Sequence, residues 1–501
     1  MIIQNALLFD LGVRAGARGP VDILIERGRI EQILAAGTKP IRPDADVINA
    51  TGMLAMPGLV NAHLHSSGLF HRGSIENLPL ELFMLWEVPP VQPSPSAPEL
   101  HRTRVLLGAI EMLKRGITAV LDDPIVPLSA GEEAVDAVMG AYRDVGMRAT
   151  VGLYRPDKPE LEWLAYLADV LPDDVRRSLE EKPRPSSEQI LEECRRFVQR
   201  WHGAADGRLR CAVSCSAPQR ATDEYMVALH ELAVAHDLPF VLHLYESKAQ
   251  RVTGRLLYGG SLVRHVRDLG VLDDRSVAVH AVWVDAQDIA DLAASGATVV
   301  HSPAGNLRCG SGIMPFRDLA DAGVPIALCT DEATVEETSS LWNVGRLAAE
   351  IHTLTRPDYA AWPKAGEILR AMTEAGARAM RAEGENGVLA QGACADLILI
   401  DLSTSTYTPL VDLPRHLVYG EDGTSIRLVM VDGNVVVRDG RVLTIDEGAI
   451  LSDARRMIPA WLESIRATDD WAQRLRPYLD EVYRRSVSED VGFTRWAGSP
   501  P

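Results

Sequence analysis

Between residues 56 and 385 the chain alternates short apolar, β-rich runs with longer segments of helical periodicity, of which residues 100–114 are one. Repeated strand–helix alternation predicts parallel strands, because parallel neighbours need a crossover connection that usually contains a helix. The candidate strands begin near Met56, Ile117, Arg148, Leu209, Leu238, Ser276, Ala297 and Pro325.

Eight such units predict an α/β fold of the (β/α)8 TIM-like barrel type with insertions. A doubly wound sheet has the same alternation and is the alternative. We favour the barrel because it collects functional groups at the carboxyl ends of several strands, where the candidate ligands of this chain fall. Two connections, residues 86–98 and 155–207, are long loops that we expect to shape or cover the pocket.

Both ends of the chain are richer in strand signals than the middle. Residues 21–34 predict a hairpin around Gly28, and residues 428–440 predict another around an Asp-Gly-Asn turn. We therefore expect the two ends to build one small β-sandwich. The predicted divisions are 1–55 and 386–445 for the two parts of the sandwich, 56–385 for the barrel and 446–501 for a C-terminal helical tail.

Histidines and one aspartate end several of the candidate strands. His63 and His65 have i, i+2 spacing, which puts both imidazoles on one side of a strand. His243 ends the fifth strand, His280 the sixth and Asp331 the eighth. A His-x-His pair with one further histidine and a carboxylate can hold a zinc ion and leave a position for water. Taken singly, a strand histidine such as His243 is more often a core residue, and an aspartate such as Asp331 is also typical of a helix N-cap.

The order of these motifs resembles the amidohydrolase superfamily over nearly the whole chain. Within it, the chain is similar to the branch of guanine, cytosine and S-adenosylhomocysteine deaminases and triazine hydrolases, in which His-x-x-Glu after strand five is diagnostic. The stretches that carry the resemblance are 57–65 (Pro-Gly-Leu-Val-Asn-Ala-His-Leu-His), His243-x-x-Glu246, His280, 301–306 (His-Ser-Pro-x-x-Asn), Thr330-Asp331 and 387–401.

The resemblance implies a ligand set of His63, His65, His243 and Asp331 for one divalent metal, with zinc expected and iron as the alternative. It also implies that His280 touches the metal-bound water and that Glu246 passes a proton to the leaving group. A second metal of this family would need a bridging lysine after strand four. Residues 211–218 contain no lysine, so we predict one metal.

This set predicts a metal-dependent aminohydrolase with Glu246, His280 and Asp331 as catalytic residues. A metal-bound hydroxide would attack an sp² carbon of an amino-substituted N-heterocycle or related amidine and release ammonia or an amine. Asp331 or Glu246 would take the water proton. Hydrolysis of a cyclic amide, a urea or a C–Cl bond at the same site is the alternative, and a non-catalytic scaffold relative is a remote one.

Four residues near the strand ends are candidate substrate contacts. A further segment, residues 332–338, carries three glutamates where small polar residues are usual in the deaminases. These acids either contact a cationic or amino-rich substrate or form a solvated helix N-terminus. The four candidate contacts are Trp86, Tyr245, Trp283 and Asn306.

Charge and composition exclude several classes of partner. The formal net charge of −18 disfavours nucleic acid and anionic membranes. Six cysteines without CxxC spacing indicate reduced thiols, and the first residues lack the basic stretch of a secretory signal. No apolar run reaches the roughly 18 residues that a membrane-spanning helix needs, so we expect a soluble cytoplasmic enzyme that acts on a small molecule. We expect a homodimer or higher homo-oligomer, with the tail 446–501 capping the barrel or joining subunits.

Overall fold

A computed structural model describes residues 1–13, 16–38, 46–88 and 97–498. The strands are β1 Ile2–Phe9, β2 Ala17–Glu26, β3 Arg29–Ala35, β4 Val47–Asn49, β5 Met53–Pro57, β6 Leu59–His65, β7 Ile117–Asp122, β8 Arg148–Val151, β9 Leu209–Cys211, β10 Val213–Ser214, β11 Phe240–Leu244, β12 Ser276–His280, β13 Thr298–His301, β14 Ile326–Leu328, β15 Asp331–Glu332, β16 Leu397–Asp401, β17 Ile426–Val431, β18 Asn434–Arg438 and β19 Arg441–Val442.

Helices follow most of the strands of the central region. The α-helices are α1 Leu80–Glu87, α2 Pro98–Lys114, α3 Gly131–Val145, α4 Leu167–Val170, α5 Asp173–Glu180, α6 Ser187–Trp201, α7 Asp223–His236, α8 Lys248–Leu257, α9 Leu262–Asp268, α10 Ala286–Ser295, α11 Pro303–Arg308, α12 Phe316–Asp321, α13 Ala333–Glu336, α14 Leu341–Ile351, α15 Ala365–Ala371, α16 Glu374–Ala379, α17 Leu413–Tyr419 and α18 Glu447–Ser488. The 3-10 helices are Ser66–His71, Leu128–Ala130, Glu160–Glu162, Pro218–Arg220, His352–Leu354, Tyr359–Ala361 and Ser405–Tyr407.

The two ends of the chain share one nine-stranded sheet of order β19-β18-β17-β16-β5-β1-β2-β3, with β4 paired to β1. The predicted hairpins are confirmed as the antiparallel pairs β2–β3 and β17–β18. The antiparallel pairing of β5 with β16, in register at Met56 and Ile398, joins the N-terminal strands to the C-terminal ones. A separate cluster of buried side chains, including Ile3, Ile23 and Met430, covers this sheet.

The central region contains two five-stranded parallel sheets, β15-β6-β7-β8-β9 and β10-β11-β12-β13-β14. They are linked through the chain, because only Ala212 separates β9 from β10 and only residues 329–330 separate β14 from β15. β15 pairs with β6, so the eighth predicted strand lies beside the first. This α/β arrangement of parallel strands agrees with a TIM-barrel-like fold.

Each predicted strand of this region is observed within a few residues of its expected start; the fifth begins at Phe240. The expectation of a long loop over residues 86–98 needs a correction. Trp86 and Glu87 end α1, because Leu80–Glu87 is rich in helix formers and packs against α18. Residues 89–96 of that predicted loop lie outside the described residues. The insertion 155–207 contains α4, α5 and α6.

Within the C-terminal tail, α18 runs from Glu447 to Ser488. Its Trp461 indole donates a hydrogen bond to the Phe70 carbonyl at 3.0 Å. Leu475 and Leu479 are buried in one cluster with Leu82 and other side chains. The helix therefore packs over the carboxyl ends of the first parallel strands. No helix among the described residues combines the length and the apolar character needed to cross a membrane.

Candidate active site

Strand β6 brings two histidines to one point. Every residue of β6 is buried, and the alternation of side chains along a strand turns His63 and His65 to the same side. Their Nε2 atoms lie 3.1 Å apart. His243 at the end of β11 adds a third Nε2, 3.1 Å from that of His65 and 3.2 Å from that of His63. Three imidazoles from two sheets thus converge on one position.

Backbone carbonyls orient two of these rings. Nδ1 of His65 lies 2.6 Å from the Asp123 carbonyl oxygen, and Nδ1 of His243 lies 2.7 Å from that of Ser216. A carbonyl oxygen only accepts, so each Nδ1 carries the proton and each Nε2 presents its lone pair inward. Such hydrogen bonds fix the tautomer and the orientation that metal-binding histidines need.

The charge state of the rings also suits a cation between them. Burial, followed by the neighbouring imidazoles, lowers the pKa of His63 and His243 well below the ordinary value. Both rings are therefore neutral near pH 7, which is the form that coordinates a metal. Lone pairs facing one another at 3.1 to 3.2 Å repel, and a shared cation removes that repulsion. This cluster can hold a metal ion.

Asp331 lies at the edge of the cluster. Its Oδ1 is 3.9 Å from Nε2 of His63, and its Oδ2 accepts a hydrogen bond from Ser302 at 2.9 Å. The backbone of Asp331 has φ 58°, a left-handed conformation that costs free energy in a residue other than glycine. Asn61 holds this bend to β6, since its side chain donates to the Thr330 hydroxyl and accepts from the Thr330 amide.

A second pair of groups, His280 and Glu246, stands next to the histidine cluster. Nε2 of His280 lies 3.3 Å from Oε2 of Glu246, and Nδ1 of His280 lies 3.1 Å from Oδ1 of Asn306. The His280 ring centroid is 5.5 Å from that of His243. Burial raises the pKa of Glu246, which His280 partly offsets. The geometry can hold one proton between the His280 imidazole and the Glu246 carboxyl group.

These groups open into a cavity whose remaining wall is largely apolar. His65, His243, Glu246, His280 and Asp331 all line it. Side chains of α1, of the insertion 155–207 and of α18 complete the wall. They include Phe83, Met84, Leu85, Trp163, Leu164, Leu167, Leu171, Leu179, Leu475 and Leu479. An apolar cavity with a few convergent polar groups is the usual form of a small-molecule site.

The four predicted substrate contacts are not among the described residues that line this cavity. Trp86 donates to Asp469 of α18, and the Tyr245 hydroxyl accepts from the Leu262 amide. Trp283 donates to the Ser311 carbonyl and packs on Trp496, while the Asn306 side chain contacts His280. The position of these four residues near strand ends did not show which way their side chains point, because each side chain contacts a segment that is distant in sequence.

Other residues of the site were not anticipated from the sequence. Asp123 follows β7, and its backbone carbonyl accepts a hydrogen bond from His65. Its carboxylate accepts another from the Ser214 hydroxyl at 2.7 Å. Arg220 lines the cavity and stacks over the Trp163 ring at 4.9 Å. The Asp-Asp-Pro sequence at the end of the second strand was the available signal, since acids at strand ends of such folds lie near the site.

Glu332 is buried, with 5% of its surface exposed, and lines the cavity together with Glu87. Burial and the neighbouring Glu87 carboxyl group raise the pKa of Glu332 well above the ordinary value. The solvated helix N-terminus considered for residues 332–338 therefore does not describe Glu332, which lies inside the molecule.

A family model described as the amidohydrolase family matches residues 54–436. The chain belongs to the amidohydrolase family. The predicted relationship is therefore confirmed, and with it a hydrolase acting on carbon–nitrogen bonds. The histidine cluster of this amidohydrolase lies at the ends of β6 and β11.

Curated relatives of this amidohydrolase are named deaminases of adenosine analogues. A 5'-deoxyadenosine deaminase of Methanosarcina mazei is 30% identical over 456 residues, 91% of this chain and 97% of the relative. A 5-methylthioadenosine/S-adenosylhomocysteine deaminase of Desulforudis audaxviator is 30% identical over 466 residues, 93% of this chain and 100% of the relative.

Solved structures are similar over the same length. An adenosine deaminase from Xanthomonas campestris with bound zinc has a TM-score of 0.80 at 25% identity, covering 93% of this chain and 98% of the other. A zinc-complexed atrazine chlorohydrolase from Arthrobacter aurescens TC1 has a TM-score of 0.79 at 23% identity, covering 91% of this chain and 100% of the other. The second likeness concerns the fold alone.

Proposed function

We propose that this amidohydrolase is a metal-dependent aminohydrolase of 6-aminopurine nucleosides. The main supporting observation is that His63, His65 and His243 converge beside the Glu246–His280 pair. In addition, the chain aligns with a 5'-deoxyadenosine deaminase over 91% of its length. Water adds to C6 of the purine, the amino group leaves as ammonia, and an oxygen replaces the nitrogen.

The proposed metal site consists of His63, His65 and His243, with Asp331 as the fourth ligand. Imidazole and carboxylate ligands suit zinc, which the Xanthomonas campestris structure contains, and they also suit iron. A bound zinc ion would supply a water whose pKa is lowered to about 7. The described residues contain one set of three converging imidazoles, which supports one metal ion.

Glu246 and His280 are the proposed proton-transfer groups. A carboxyl group with a raised pKa can take a proton from water and return it to the leaving amino nitrogen, which must be protonated to depart. Asn306 accepts from Nδ1 of His280, so Nε2 of that ring is held toward Glu246. His280 therefore orients the Glu246 carboxyl group, and once Nε2 has taken a proton the ring would stabilise negative charge that develops on the oxygen.

We further propose that the two parallel sheets form one closed (β/α)8 barrel over residues 56–385. The pairing of β15 with β6 and the isolated parallel bridge between Tyr154 and Ser214 support closure on both sides. Because residues 1–55 and 386–445 contribute strands to one shared sheet, we propose that they form one composite domain, a β-sandwich. The helix α18 supports residues 446–501 as a separate tail.

The test combines metal analysis with an ammonia assay. We expect about one zinc or iron ion per chain, and ammonia release from 5'-deoxyadenosine or 5'-methylthioadenosine. His65→Asn should lose the metal and the activity together, whereas His230→Asn, which changes a histidine paired with Asp273 outside the cavity, should keep both. Bound metal without ammonia from any aminopurine, aminopyrimidine, pterin or triazine would refute deamination in favour of amide or C–Cl hydrolysis.

A further inference from the structure

One wall of the active-site cavity is made by leucines that belong to none of the parallel strands. They come from residues 164–179 of the insertion and from α18, whereas the histidines of the cavity lie at strand ends. Leu475 and Leu479 have the i, i+4 spacing that puts two side chains on one face of a helix. We call this set the leucine wall, and it consists of Leu164, Leu167, Leu171, Leu179, Leu475 and Leu479.

The leucine wall is held in place by packing among three segments of the chain. Five of its six members are buried in one cluster, to which α1 contributes Leu82 and Leu85. The sixth, Leu164, is partly buried and packs against the same cluster. Helix α18 also contacts α1 and α4. Because these side chains interlock, the wall presents a fixed apolar surface to a group that enters the cavity.

Two acids of the cavity lie on the segments that carry this cluster, and both have partners within the protein. Oε1 of Glu81, in α1, accepts a hydrogen bond from the Ser247 hydroxyl at 2.6 Å. Oε2 of Glu160, in the insertion, accepts one from the Arg184 guanidinium at 2.7 Å. Neither carboxyl group therefore depends on a ligand for a donor.

Arg220 is the only lysine or arginine among the described residues that line the cavity. Its guanidinium donates to the hydroxyls of Tyr154 and Ser216 and lies over the Trp163 ring at 4.9 Å. Acids among the same lining residues outnumber it. A carboxylate on a ligand would compete with these contacts and meet several negative groups, so the charges of the cavity disfavour an anionic tail.

We propose that the leucine wall is a subsite for an uncharged, apolar substituent of the substrate, and that α18 is therefore a determinant of specificity. Burial of such a substituent against leucine gains free energy with each methylene, whereas a charged group loses hydration there. The position of the substituent rests on the proposed function, since the 5' carbon is the end of a nucleoside far from C6 of the purine. The substrate class is a 6-aminopurine nucleoside whose 5' carbon bears an alkylthio or similar apolar group, in preference to an amino-acid tail.

Hydroxamates, which bind zinc, test the subsite without turnover on the zinc-loaded full chain. Octanohydroxamate and suberic acid monohydroxamate have chains of the same length and differ in the terminal group, a methyl or a carboxylate. Isothermal titration should show at least about tenfold tighter binding of the methyl-ended probe, because the carboxylate has to stay hydrated. Acetohydroxamate lacks the chain and reports on the metal site alone.

Leu479→Gln should weaken the binding of octanohydroxamate by about tenfold and leave that of acetohydroxamate within about twofold, since it removes apolar contact and no metal ligand. Leu171→Gln repeats the test from the insertion in case Leu479→Gln does not fold. Leu462→Gln is the matched control, because Leu462 belongs to the same helix, is 47% exposed and does not line the cavity. Equal affinities of the two long probes, or an octanohydroxamate affinity that survives both wall substitutions, would overturn the subsite.

A kinetic series connects the subsite with the proposed reaction. We expect kcat/KM to rise from 5'-deoxyadenosine through 5'-methylthioadenosine to 5'-butylthioadenosine, by about fourfold for each methylene that is buried, with the gain in KM. S-adenosylhomocysteine, whose tail is a zwitterion, should fall at least about tenfold below the butylthio compound, and a higher value for it would overturn the subsite. Absence of ammonia from every nucleoside, with the hydroxamate preference intact, would refute the proposed function and leave the apolar subsite standing.

Discussion

At the scale of single residues, the site depends on which atom of each side chain is already engaged. The backbone carbonyls of Asp123 and Ser216 accept hydrogen bonds from Nδ1 of His65 and His243, respectively, so only Nε2 of each ring remains to bind a metal. In Glu246 it is the backbone amide that is engaged, since it donates a hydrogen bond to the Gln250 side chain. Its carboxyl group therefore remains available beside His280. The two kinds of residue should therefore respond differently to substitution.

Glu246→Gln should lower kcat by about 10²- to 10⁴-fold, the usual contribution of a proton-transfer group, because an amide cannot move the proton. Metal content should be unchanged, since the His63, His65 and His243 nitrogens are untouched. Steady-state kinetics and metal analysis of the purified variant check both statements. Glu231→Gln, on the exposed face of α7, is the matched control, and a Glu246→Gln enzyme within threefold of wild type would contradict the assignment.

At the scale of elements, the position of β6 is decided by the helix behind it. Gly376 of α16 lies so close to Val60 that an added Cβ would be 2.7 Å from the Val60 carbonyl oxygen and 2.8 Å from its Cβ. Val60 belongs to the strand that ends in His63 and His65. The small residue in α16 therefore sets how deeply the ligand strand sits in the molecule.

Gly376→Ala should destabilise the protein by about 1 to 3 kcal/mol, because backbone must shift to relieve the overlap. Gly140→Ala is the matched control: it lies inside α3, where a Cβ would meet only arginine nitrogens at 3.8 Å. That change should stabilise by about 0.5 to 1 kcal/mol through helix propensity. Urea unfolding measures both, and equal effects of the two substitutions would show that α16 does not constrain β6.

At the scale of the whole molecule, buried neutral histidines couple stability to pH. Burial lowers the pKa of His101 and of His352 to about 4. The unfolded chain binds these protons near pH 6.5, so it takes up more protons than the folded protein between that pH and about 4. The stability from each group is complete above about pH 6.5 and is lost as the pH falls toward 4.

Replacement of His101 by glutamine should remove its share of this acid sensitivity, which amounts to at most about 3 kcal/mol. Urea unfolding at several pH values from 7.5 to 4.5 measures the slope of unfolding free energy in the wild type and in the variant. The slope should be smaller in His101→Gln. Parallel curves for the two proteins would show that His101 does not remain neutral in the folded state.

Local patterns in the sequence determined the strand positions and the side of each strand that bears the histidines. The i, i+2 spacing of His63 and His65 needs only the two-residue repeat of a strand, and apolar runs mark strands because they are buried on both faces. For this reason the predicted strand starts agree with the observed ones within a few residues. The His-x-x-Glu order likewise put Glu246 just beyond the end of the strand that carries His243.

Only the tertiary structure decided which residues form the cavity wall. The side chains of Trp86, Tyr245 and Trp283 contact α18, the first residue of α9 and the segment that follows α11, respectively. Each of these partners is at least 17 positions away in sequence. Glu87 and Glu332 meet although 245 positions separate them, because Phe83 of α1 and Val335 of α13 are buried in one cluster. Strand periodicity is a local property of the backbone, whereas the wall of a cavity results from long-range packing of many side chains.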